Sequence, residues 1–375
     1  MLERLTQHLA AARSLADAQI LSAVEQLTDA EIPAAVKADF LAALAQKGET
    51  PDEIAAFARA LRDKSIPPPL DAETRAREIL DVVGTGGDRL GTFNISTTAA
   101  VLCAAAGVTV AKHGNRAVTS RAGSADVLEA LGVRIDLTPM EAARSLRERH
   151  FAFFFAPAYH PAFKHIAPAR KLCAERGQRT IFNFLGPLLN PARPSAMLVG
   201  VPQPEWCEPL ARVLQSLGVR RAMVVCGRVR SSVFGPSSAV ALPPGEEGRG
   251  SKVVVSRPAT AGHFLDELST LGENTIAEFY QERGFAASVL APEQFPMQRA
   301  ALADLLGGDR QANAQIVRRI LGGEERGPQR DAVLLNAGAA LFVAGKAKSL
   351  STGWDLAAAT IDSGEAAAKL AQLAH

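Results

Sequence analysis

The sequence predicts an α/β fold in which a small N-terminal helical domain precedes a larger domain with a mostly parallel central sheet flanked by helices. Two observations predict it. Apolar residues recur at helical spacing in the N-terminal segment, and beyond a proline-rich stretch short apolar segments alternate with alanine-rich ones. That alternation is typical of parallel strands with helices on both faces of the sheet.

The N-terminal helices are predicted from their capping signals. Thr28–Glu31 and Thr50–Glu53 each match a capping box, and the second has Pro51 at the first helical position. Residues Ile66–Leu70 contain three consecutive prolines, which remove backbone donors and hold the chain extended. We therefore expect a helical domain over residues 1–72 and an α/β domain over residues 73–375.

Within the α/β domain, three apolar segments predict strands: Ile79–Val83, Phe151–Phe155 and Ala222–Cys226. A helix introduced by Thr138–Glu141 is one of those that alternate with them. In open α/β sheets, ligands bind beyond the carboxyl ends of the strands, so we expect the functional site at that edge.

A phosphate-binding turn is predicted where the first of these strands ends. The segment from Asp81 reads DVVGTGGD, and glycines 84, 86 and 87 allow backbone N–H groups to approach anionic oxygens closely. Asn94 and Ser96 are good N-cap residues for a helix over Thr97–Gly107, whose N-terminus favours phosphate. A phosphorylated ligand is the first hypothesis.

A second strand, turn and helix follow in the same arrangement. The apolar residues 108–111 lead into Lys112–Arg116, which reads KHGNR, and residues 119–126 then open a helix over Val127–Gly132. Lys112 and Arg116 offer cationic donors suited to phosphate or pyrophosphate, while Asn115 can both donate and accept. Two anion-binding turns therefore lie close together in the sequence.

The composition argues against several other classes of protein. The formal net charge is +2 and aromatic residues make up 5%, whereas nucleic-acid-binding domains are usually strongly basic. No apolar run reaches the ~18 residues of a membrane span, and the first residues lack the apolar core of a secretion signal. Four widely spaced cysteines are expected to be free thiols in a reducing cytoplasm.

Six ordered motifs resemble the anthranilate phosphoribosyltransferase family: GTGGD, TFNIST, KHGNR, GSADVLEALG, HPAFKHIAPAR and RTIFNFLGPLLNPA. The resemblance covers nearly the whole chain. It implies transfer of a phosphoribosyl group from phosphoribosyl pyrophosphate (PRPP) to the amine of anthranilate, with release of pyrophosphate, in tryptophan biosynthesis. It further implies that residues near 171–190 return to the helical domain, and that this domain forms a homodimer.

The resemblance also implies roles for individual residues. The implied PRPP ligands lie in both turns: Gly84, Gly86, Gly87, Asp88, Thr92, Asn94, Ile95, Ser96, Thr97, Lys112, His113, Gly114, Asn115, Arg116, Ala117, Val118, Thr119, Ser120 and Ser124. Ser96, Asp266 and Glu267 are the implied ligands of Mg²⁺, with two ions expected. These are hard oxygen donors, which magnesium prefers together with phosphates and water.

Gly84, Asn115 and Arg170 are the implied anthranilate ligands. A guanidinium such as that of Arg170 can hold a carboxylate with two parallel hydrogen bonds, which would orient the ring for attack by its amine. Two histidines keep alternatives open: His113 could contact the acceptor or satisfy a backbone carbonyl, and His160 could simply cap a helix. No catalytic base is assigned, because the aromatic amine needs no deprotonation before it attacks.

One region departs from the family pattern. Residues 228–262 look like an insertion, in which residues 239–242 and 252–256 could pair as a hairpin. The chain also has Cys226–Gly227 and Gly262–Leu265 where family members usually approach the acidic pair through His-Gly and Asp-Gly segments.

Three other functions compete with the transferase. A pyrimidine nucleoside phosphorylase would share the fold class and the glycine turn. A non-enzymatic relative could bind nucleic acid through the same scaffold, and a structural dimer is the third alternative. The motifs KHGNR and IFNFLGPLLNPA favour the transferase.

Overall fold

The computed structural model describes residues 1–117, 121–230, 263–281 and 284–375. Its α-helices are α1 Leu2–Ala10, α2 Asp17–Thr28, α3 Ala34–Lys47, α4 Pro51–Asp63, α5 Ala72–Ala76, α6 Ile95–Ala105, α7 Ser124–Ala130, α8 Pro139–Arg149, α9 Ala156–Tyr159, α10 Ala167–Glu175, α11 Phe182–Leu188, α12 Cys207–Ser216, α13 Arg310–Leu321, α14 Pro328–Val343, α15 Leu350–Asp362 and α16 Glu365–Leu373. Its strands are β1 Ile79–Gly84, β2 Thr109–Gly114, β3 Phe151–Phe155, β4 Ala196–Gly200, β5 Arg221–Val229, β6 His263–Leu265, β7 Asn274–Tyr280 and β8 Gly284–Leu290.

Some sequence predictions lie outside these residues. They are the proposed PRPP ligands Val118, Thr119 and Ser120, the hairpin, and residues 231–262 of the predicted insertion.

The strands of the described residues form one sheet in the order β3-β2-β1-β4-β5-β7-β8, with β6 paired to β5. The pairs from β3 to β5 are parallel, and β6, β7 and β8 pair antiparallel. The predicted fold class is therefore confirmed, with an antiparallel extension at one edge. The register aligns Gly84 of β1 with Gly200 of β4, which in turn lies opposite Val225 of β5. The carboxyl ends of these strands thus share one edge.

Two large apolar clusters cover the two faces of the sheet. One combines α1–α4 with α10, α11 and α12, and the other contains α6, α14 and α15. Helix α10 packs on α3, and the Arg62 guanidinium of α4 donates to the Leu188 carbonyl at 2.7 and 3.0 Å. The boundaries of the domains stay a prediction.

Of the predicted helix starts, those at Thr50 and Thr138 are present as capping boxes and that at Thr28 is not. The Thr50 hydroxyl accepts a hydrogen bond from the Glu53 N–H at 3.2 Å, as predicted, and the box at Thr138 is also present. The box at Thr28 is wrong. Thr28 is the last residue of α2, and its hydroxyl donates back to the Val24 carbonyl at 2.8 Å. The apolar face of α2 continues to the buried Leu27, so the helix does not stop in time for Thr28 to begin a new one.

The four cysteines are buried free thiols, as expected. No helix in the described ranges combines the length and apolar character needed to cross a membrane.

Candidate functional site

The first glycine turn carries β1 into α6 with a left-handed backbone. Gly86 and Gly87 have φ values of 75° and 94°, and Arg89 has 58°. Glycine adopts such angles without steric cost, which explains the pair in this turn. The Asp88 carboxylate accepts from the Leu90 N–H at 3.2 Å.

The stretch after this turn enters α6 directly. Helix α6 begins at Ile95, two residues earlier than predicted, so Ile95, Ser96 and Thr97 form its first turn. Thr92 forms an isolated antiparallel β-bridge with Leu306, so the residues before α6 pair with the segment before α13.

Asn94 occupies the N-cap position of α6, but its side chain does not cap the helix as expected. Its amide nitrogen donates to the Ala122 carbonyl at 3.3 Å, and its amide oxygen accepts from Asn313 at 2.9 Å. Asn94 therefore connects the first turn to the second turn and to α13. The first N–H groups of α6 are left for other partners.

The acidic pair supplies one of those partners. The Glu267 carboxylate accepts from the Ser96 N–H at 3.2 Å, and the Asp266 carboxylate accepts from the Gly86 N–H at 2.6 Å. The three residues predicted to bind magnesium thus meet at the glycine turn, although 170 residues separate Ser96 from Asp266 in the chain.

Three strand glycines make room for the loop that carries Asp266 and Glu267, called the acidic loop below. A Cβ atom on Gly84 would overlap the Asp266 side chain, and one on Gly200 would overlap the Asp266 carbonyl group. One on Gly227 would lie 2.6 Å from the Glu267 carbonyl oxygen. The loop therefore crosses the ends of β1, β4 and β5 in contact with their backbones, which only glycine allows.

Burial raises the pKa of both acids, and neighbouring negative charge adds to the rise. Burial is the largest cause for Asp266, and the charges of Asp88 and Glu267 add to it. Burial raises the pKa of Glu267 to about 7, and the nearby Lys112 ammonium opposes this rise. A cation placed among these carboxylates would relieve the repulsion.

Lys112 is the buried cation of the site. Its ammonium donates to the Val82 carbonyl at 2.6 Å and to the Ser96 hydroxyl at 3.5 Å. Burial lowers its pKa, while the charges of Asp81 and Glu267 raise it. Asp81 is itself fully buried, accepts from the Asn190 amide at 2.8 Å, and has its pKa raised by burial to about 6.

The second turn is packed against the start of α7. The Asn115 carbonyl accepts from the Ala125 N–H at 3.2 Å and from the Ser124 hydroxyl at 3.3 Å. A Cβ atom on Gly114 would overlap that hydroxyl, so the glycine is needed for this approach. The Ala117 N–H donates to the Asp126 carboxylate at 2.9 Å.

Arg116, a predicted phosphate ligand, is paired within the second turn and α7. Its guanidinium already forms ion pairs with Asp126 at 3.1 Å and with Glu129 at 3.0 Å. These partners hold it on the exposed side of α7. Its role toward PRPP stays a prediction.

The proposed acceptor ligand Arg170 lies on α10. Its guanidinium stacks over the Phe182 ring at 5.0 Å. Within the described ranges no carboxylate pairs with it and no acceptor receives a hydrogen bond from it. Arg170 is exposed, so its donors are open to solvent or to a ligand.

A row of rings continues from Phe182 into the interior. The ring centroids of Phe163 and Phe182 lie 5.7 Å apart. Those of His160 and Phe163 lie 5.1 Å apart, and those of His113 and His160 lie 5.3 Å apart. The His113 Nδ1 lies 3.2 Å from the Gly186 carbonyl oxygen, which is one of the two alternatives for this histidine. The side chain of His160 does not cap a helix. The row joins Arg170 to the strand that bears Lys112.

Both histidines are buried and incompletely bonded. His113 Nε2 and both ring nitrogens of His160 lack a hydrogen bond of good geometry to any described residue, although the Leu189 backbone lies close enough to His160 to raise its pKa slightly. Burial is the main cause that lowers their pKa values, to about 3 for His113 and about 4 for His160. Both are therefore neutral at pH 7.

The donor chemistry of Ser96, Asp266 and Glu267 fits Mg²⁺, provided that other oxygens complete the coordination. No group of three or more His, Cys, Asp or Glu side chains in the described ranges is arranged to hold a metal ion by itself. Magnesium normally keeps several waters and takes oxygens from substrate phosphates, so a partial protein set is what such a site requires.

Two features of the site have no clear signal in the sequence. The Thr85 hydroxyl, within the GTGGD turn, is buried and lacks a hydrogen-bond partner among the described residues, which the motif does not indicate. Gly200 ends β4 and admits the acidic loop, which depends on the neighbouring strand rather than on a motif. The apolar segment Ala196–Val199 followed by a glycine is the one signal that could have suggested it.

Comparison with known proteins shows which families and relatives this chain is similar to. Residues 2–65 match the model of a glycosyl transferase family, helical bundle domain, and residues 76–247 and 248–367 match that of a glycosyl transferase family, a/b domain. The anthranilate phosphoribosyltransferase of Lacticaseibacillus casei is 46% identical over 336 residues, which cover 90% of this chain and 86% of that protein. That of Geobacter sp. strain M21 is 41% identical and covers 100% of this chain and 98% of that protein.

Solved structures of anthranilate phosphoribosyltransferases also match this chain. Anthranilate phosphoribosyltransferase from Thermus thermophilus matches with a TM-score of 0.81 and 41% identity, covering 99% of this chain and 98% of that one. The Saccharomyces cerevisiae enzyme in complex with PRPP and Mg has the same fold, with a TM-score of 0.80 at 23% identity, covering 99% and 96%. The chain therefore belongs to the anthranilate phosphoribosyltransferase family, glycosyltransferases of tryptophan biosynthesis that transfer the phosphoribosyl group of PRPP to anthranilate.

Proposed function

We propose that this chain binds magnesium-PRPP between the first glycine turn, the start of α6 and the acidic loop, and binds anthranilate beside Arg170. One observation carries the proposal. The N–H groups of Gly86 and Ser96, which suit diphosphate oxygens, donate to the carboxylates of Asp266 and Glu267, which suit magnesium. A cation that draws these carboxylates toward itself would free both N–H groups for the diphosphate. Anion donors and metal ligands thus share one small region.

The donor site is proposed to use backbone groups first. The N–H groups of Gly86 and Gly87 and the N-terminus of α6 present partial positive charge to the diphosphate. Asn94, Ser124 and the chain from Lys112 onward complete the proposed PRPP ligands, and Asn94 links the two turns.

Ser96, Asp266 and Glu267 are proposed to hold Mg²⁺, with two ions. When bound, magnesium would supply charge neutralisation for the departing pyrophosphate. The raised pKa values of both acids support this assignment, since carboxylates that are buried beside other negative charge favour a cation as partner. Relatives point the same way, because the S. cerevisiae enzyme has been solved with PRPP and Mg.

Anthranilate is proposed to bind through its carboxylate to Arg170. The guanidinium has no competing acceptor in the described residues and lies over the Phe182 ring, so its donors are available. Gly84 and Asn115 are the other proposed acceptor ligands. The S. cerevisiae relative has also been solved with 4-fluoroanthranilate.

The chemistry we propose depends on charge and position. As the bond between the anomeric carbon and pyrophosphate loosens, the ribose gains positive character and the leaving group gains negative charge. Backbone N–H groups at the first turn and the Lys112 ammonium are placed to stabilise that leaving group. Arg170 orients the amine toward the sugar, which supplies the entropic part of the rate enhancement.

The proposal extends to assembly and location. Residues 1–72 together with about 171–190 are proposed to form a helical domain that makes a homodimer. Packing of α10 on α3 supports their association, and so does the Arg62 bond to Leu188. A cytoplasmic location is proposed from the four free thiols.

The first test is to mix the protein with magnesium, PRPP and anthranilate, and to follow anthranilate fluorescence together with pyrophosphate release. We expect the two signals to change in proportion. In the Asp266→Asn/Glu267→Gln variant, half-maximal velocity should require much more magnesium. Glu324→Gln/Glu325→Gln alters another adjacent acid pair and should behave as wild type. Unchanged magnesium dependence in the first variant would remove the proposed metal role.

A further inference from the structure

The backbone that follows the acidic pair is held by an asparagine on α14. The Asn336 amide oxygen accepts from the Leu268 N–H at 2.9 Å, and its amide nitrogen donates to the Leu268 carbonyl at 2.9 Å. A second bond from the same nitrogen reaches the Ala332 carbonyl at 2.9 Å within the helix. The side chain thus pairs with Leu268 as a neighbouring strand would.

A second asparagine repeats the arrangement one residue later. The Asn274 amide oxygen, at the start of β7, accepts from the Ser269 N–H at 2.6 Å. Its amide nitrogen donates to the Ser269 carbonyl at 3.0 Å, and to the Leu290 carbonyl at 3.3 Å. Consecutive residues of the loop are therefore bonded on opposite sides, one to a helix and one to the sheet.

Both asparagines are fully buried, with 0% of either residue exposed. Buried polar groups are costly unless they are bonded, so burial of two amides needs these partners. An amide group presents a donor and an acceptor on one planar end, which matches the N–H and carbonyl of a single residue. Aspartate of the same size would keep the acceptor and lose the donor.

Asn336 and Asn274 together form a clamp on the backbone of Leu268 and Ser269. The acidic pair that precedes this clamp is also held at other points. Asp266 and Glu267 lie between β6, which ends at Leu265, and the clamped Leu268. The ends of β1 and β4 lie beneath Asp266 without side chains between them. The backbone of the acidic pair is thereby held on both flanks and from below.

We propose that Asn336 and Asn274 are positioning residues that fix the carboxylates of Asp266 and Glu267 in the geometry that magnesium requires. The inference rests on the proposed role of that acidic pair as the metal ligands. Groups that orient metal ligands without touching the metal contribute substantially to affinity, and their loss typically weakens metal binding by about 10- to 100-fold.

The test compares Asn336→Asp and Asn274→Asp with wild type. Each change keeps the acceptor for the loop N–H but places an oxygen against the loop carbonyl. We expect the magnesium concentration for half-maximal velocity to rise by about tenfold or more, while the KM for anthranilate stays within about threefold. Calorimetry with magnesium and inorganic pyrophosphate, in the absence of anthranilate, should show a similar loss of affinity.

Two further variants separate positioning from simple loss of stability. Thr360→Val removes a buried hydrogen bond from the Thr360 hydroxyl to the Leu356 carbonyl in α15, and should lower the melting temperature without changing the magnesium requirement. Asn336→Ala, which introduces no charge, provides the same measurement if the aspartate variant does not fold. A role that is only structural predicts a lower melting temperature and wild-type magnesium dependence, which would overturn the inference.

The acidic-pair variant distinguishes this inference from the proposed function. If Asp266→Asn/Glu267→Gln leaves the magnesium requirement unchanged, the metal assignment fails and the clamp has no metal to serve. If that variant responds and the folded asparagine variants do not, the assignment stands and the clamp inference alone fails.

Discussion

Gly200 and Asp266 approach so closely that a Cβ atom on the glycine would overlap the backbone carbonyl of the acid. The two residues lie 66 positions apart in the chain. Their contact arises because β4 lies between β1 and β5, which brings its last residue beneath the acidic loop. The absence of one carbon atom therefore determines where a proposed metal ligand lies.

Replacing Gly200 with alanine should displace the acidic loop. We expect a loss of about 1–3 kcal/mol in the free energy of unfolding, typical of an added methyl group in a packed site. The magnesium concentration for half-maximal velocity should rise by about tenfold, measured by titration at saturating substrates. Gly322→Ala is the control, since its Cβ would lie 2.9 Å from the Arg318 carbonyl oxygen at the end of α13, away from the acidic pair and from α14. The control should lose stability alone, and an equal magnesium effect in both variants would contradict the explanation.

Replacing Arg170 with alanine should mainly impair use of the acceptor. Hydrogen bonds to charged groups contribute about 1.5–3 kcal/mol, so the KM for anthranilate should rise by about 10- to 100-fold, with the KM for PRPP nearly unchanged. Steady-state kinetics with each substrate varied in turn would measure both.

Arg179 offers a matched control for this variant. Its guanidinium also stacks on a phenylalanine, Phe184 at 5.1 Å, but it pairs with Glu49 at 2.9 Å. Arg179→Ala should keep the wild-type KM for anthranilate. Equal losses for both substrates in Arg170→Ala would reject the assignment of Arg170 to the acceptor.

The sequence predicts those parts of the site that depend on local rules. A strand followed by closely spaced glycines and a helix leads to the first turn, and the structure has this arrangement at Asp81–Thr97. The capping boxes at Thr50 and Thr138 are equally local, since each involves residues three apart. Motif resemblance adds the acidic pair.

Other parts depend on packing between distant segments, and no local pattern reports them. Asn94 has the residue type of a cap, yet its side chain bonds Asn313, which is 219 residues away. Thr28 fits the capping pattern, yet the apolar face of α2 extends the helix through it. In both cases a tertiary contact outweighs a local preference worth ~1 kcal/mol.

Replacing Lys112 with methionine should destabilise the protein in a way that depends on pH. The change leaves Asp81 and Glu267 without their buried cation, and removal of one partner of a buried pair typically costs about 3–5 kcal/mol. Without the cation the pKa values of both acids should rise further, so the acids become neutral as the pH falls. The loss in the free energy of unfolding should therefore be larger at pH 8 than at pH 5.5, as measured by urea unfolding.

Lys37→Met is the control for that measurement. Lys37 is also buried, but its ammonium donates to two backbone carbonyls, those of Asp29 at 2.6 Å and His165 at 2.8 Å. Carbonyl groups do not titrate, so this variant should lose similar stability at both pH values. A loss for Lys112→Met that does not change with pH would show that its charge partners are not the buried acids.

Replacing His160 with glutamine should reduce the acid sensitivity of the fold. Burial lowers the pKa of His160 from 6.5 to about 4, so between these values the unfolded chain binds a proton that the folded protein does not. The resulting stability is present above pH 6.5 and is lost as the pH falls toward 4. From pH 7 to pH 5 this histidine should cost the wild type about 2 kcal/mol, which the variant should not lose. Urea unfolding at the two pH values measures the difference. An unchanged loss in His160→Gln would mean that His160 is not kept neutral by burial.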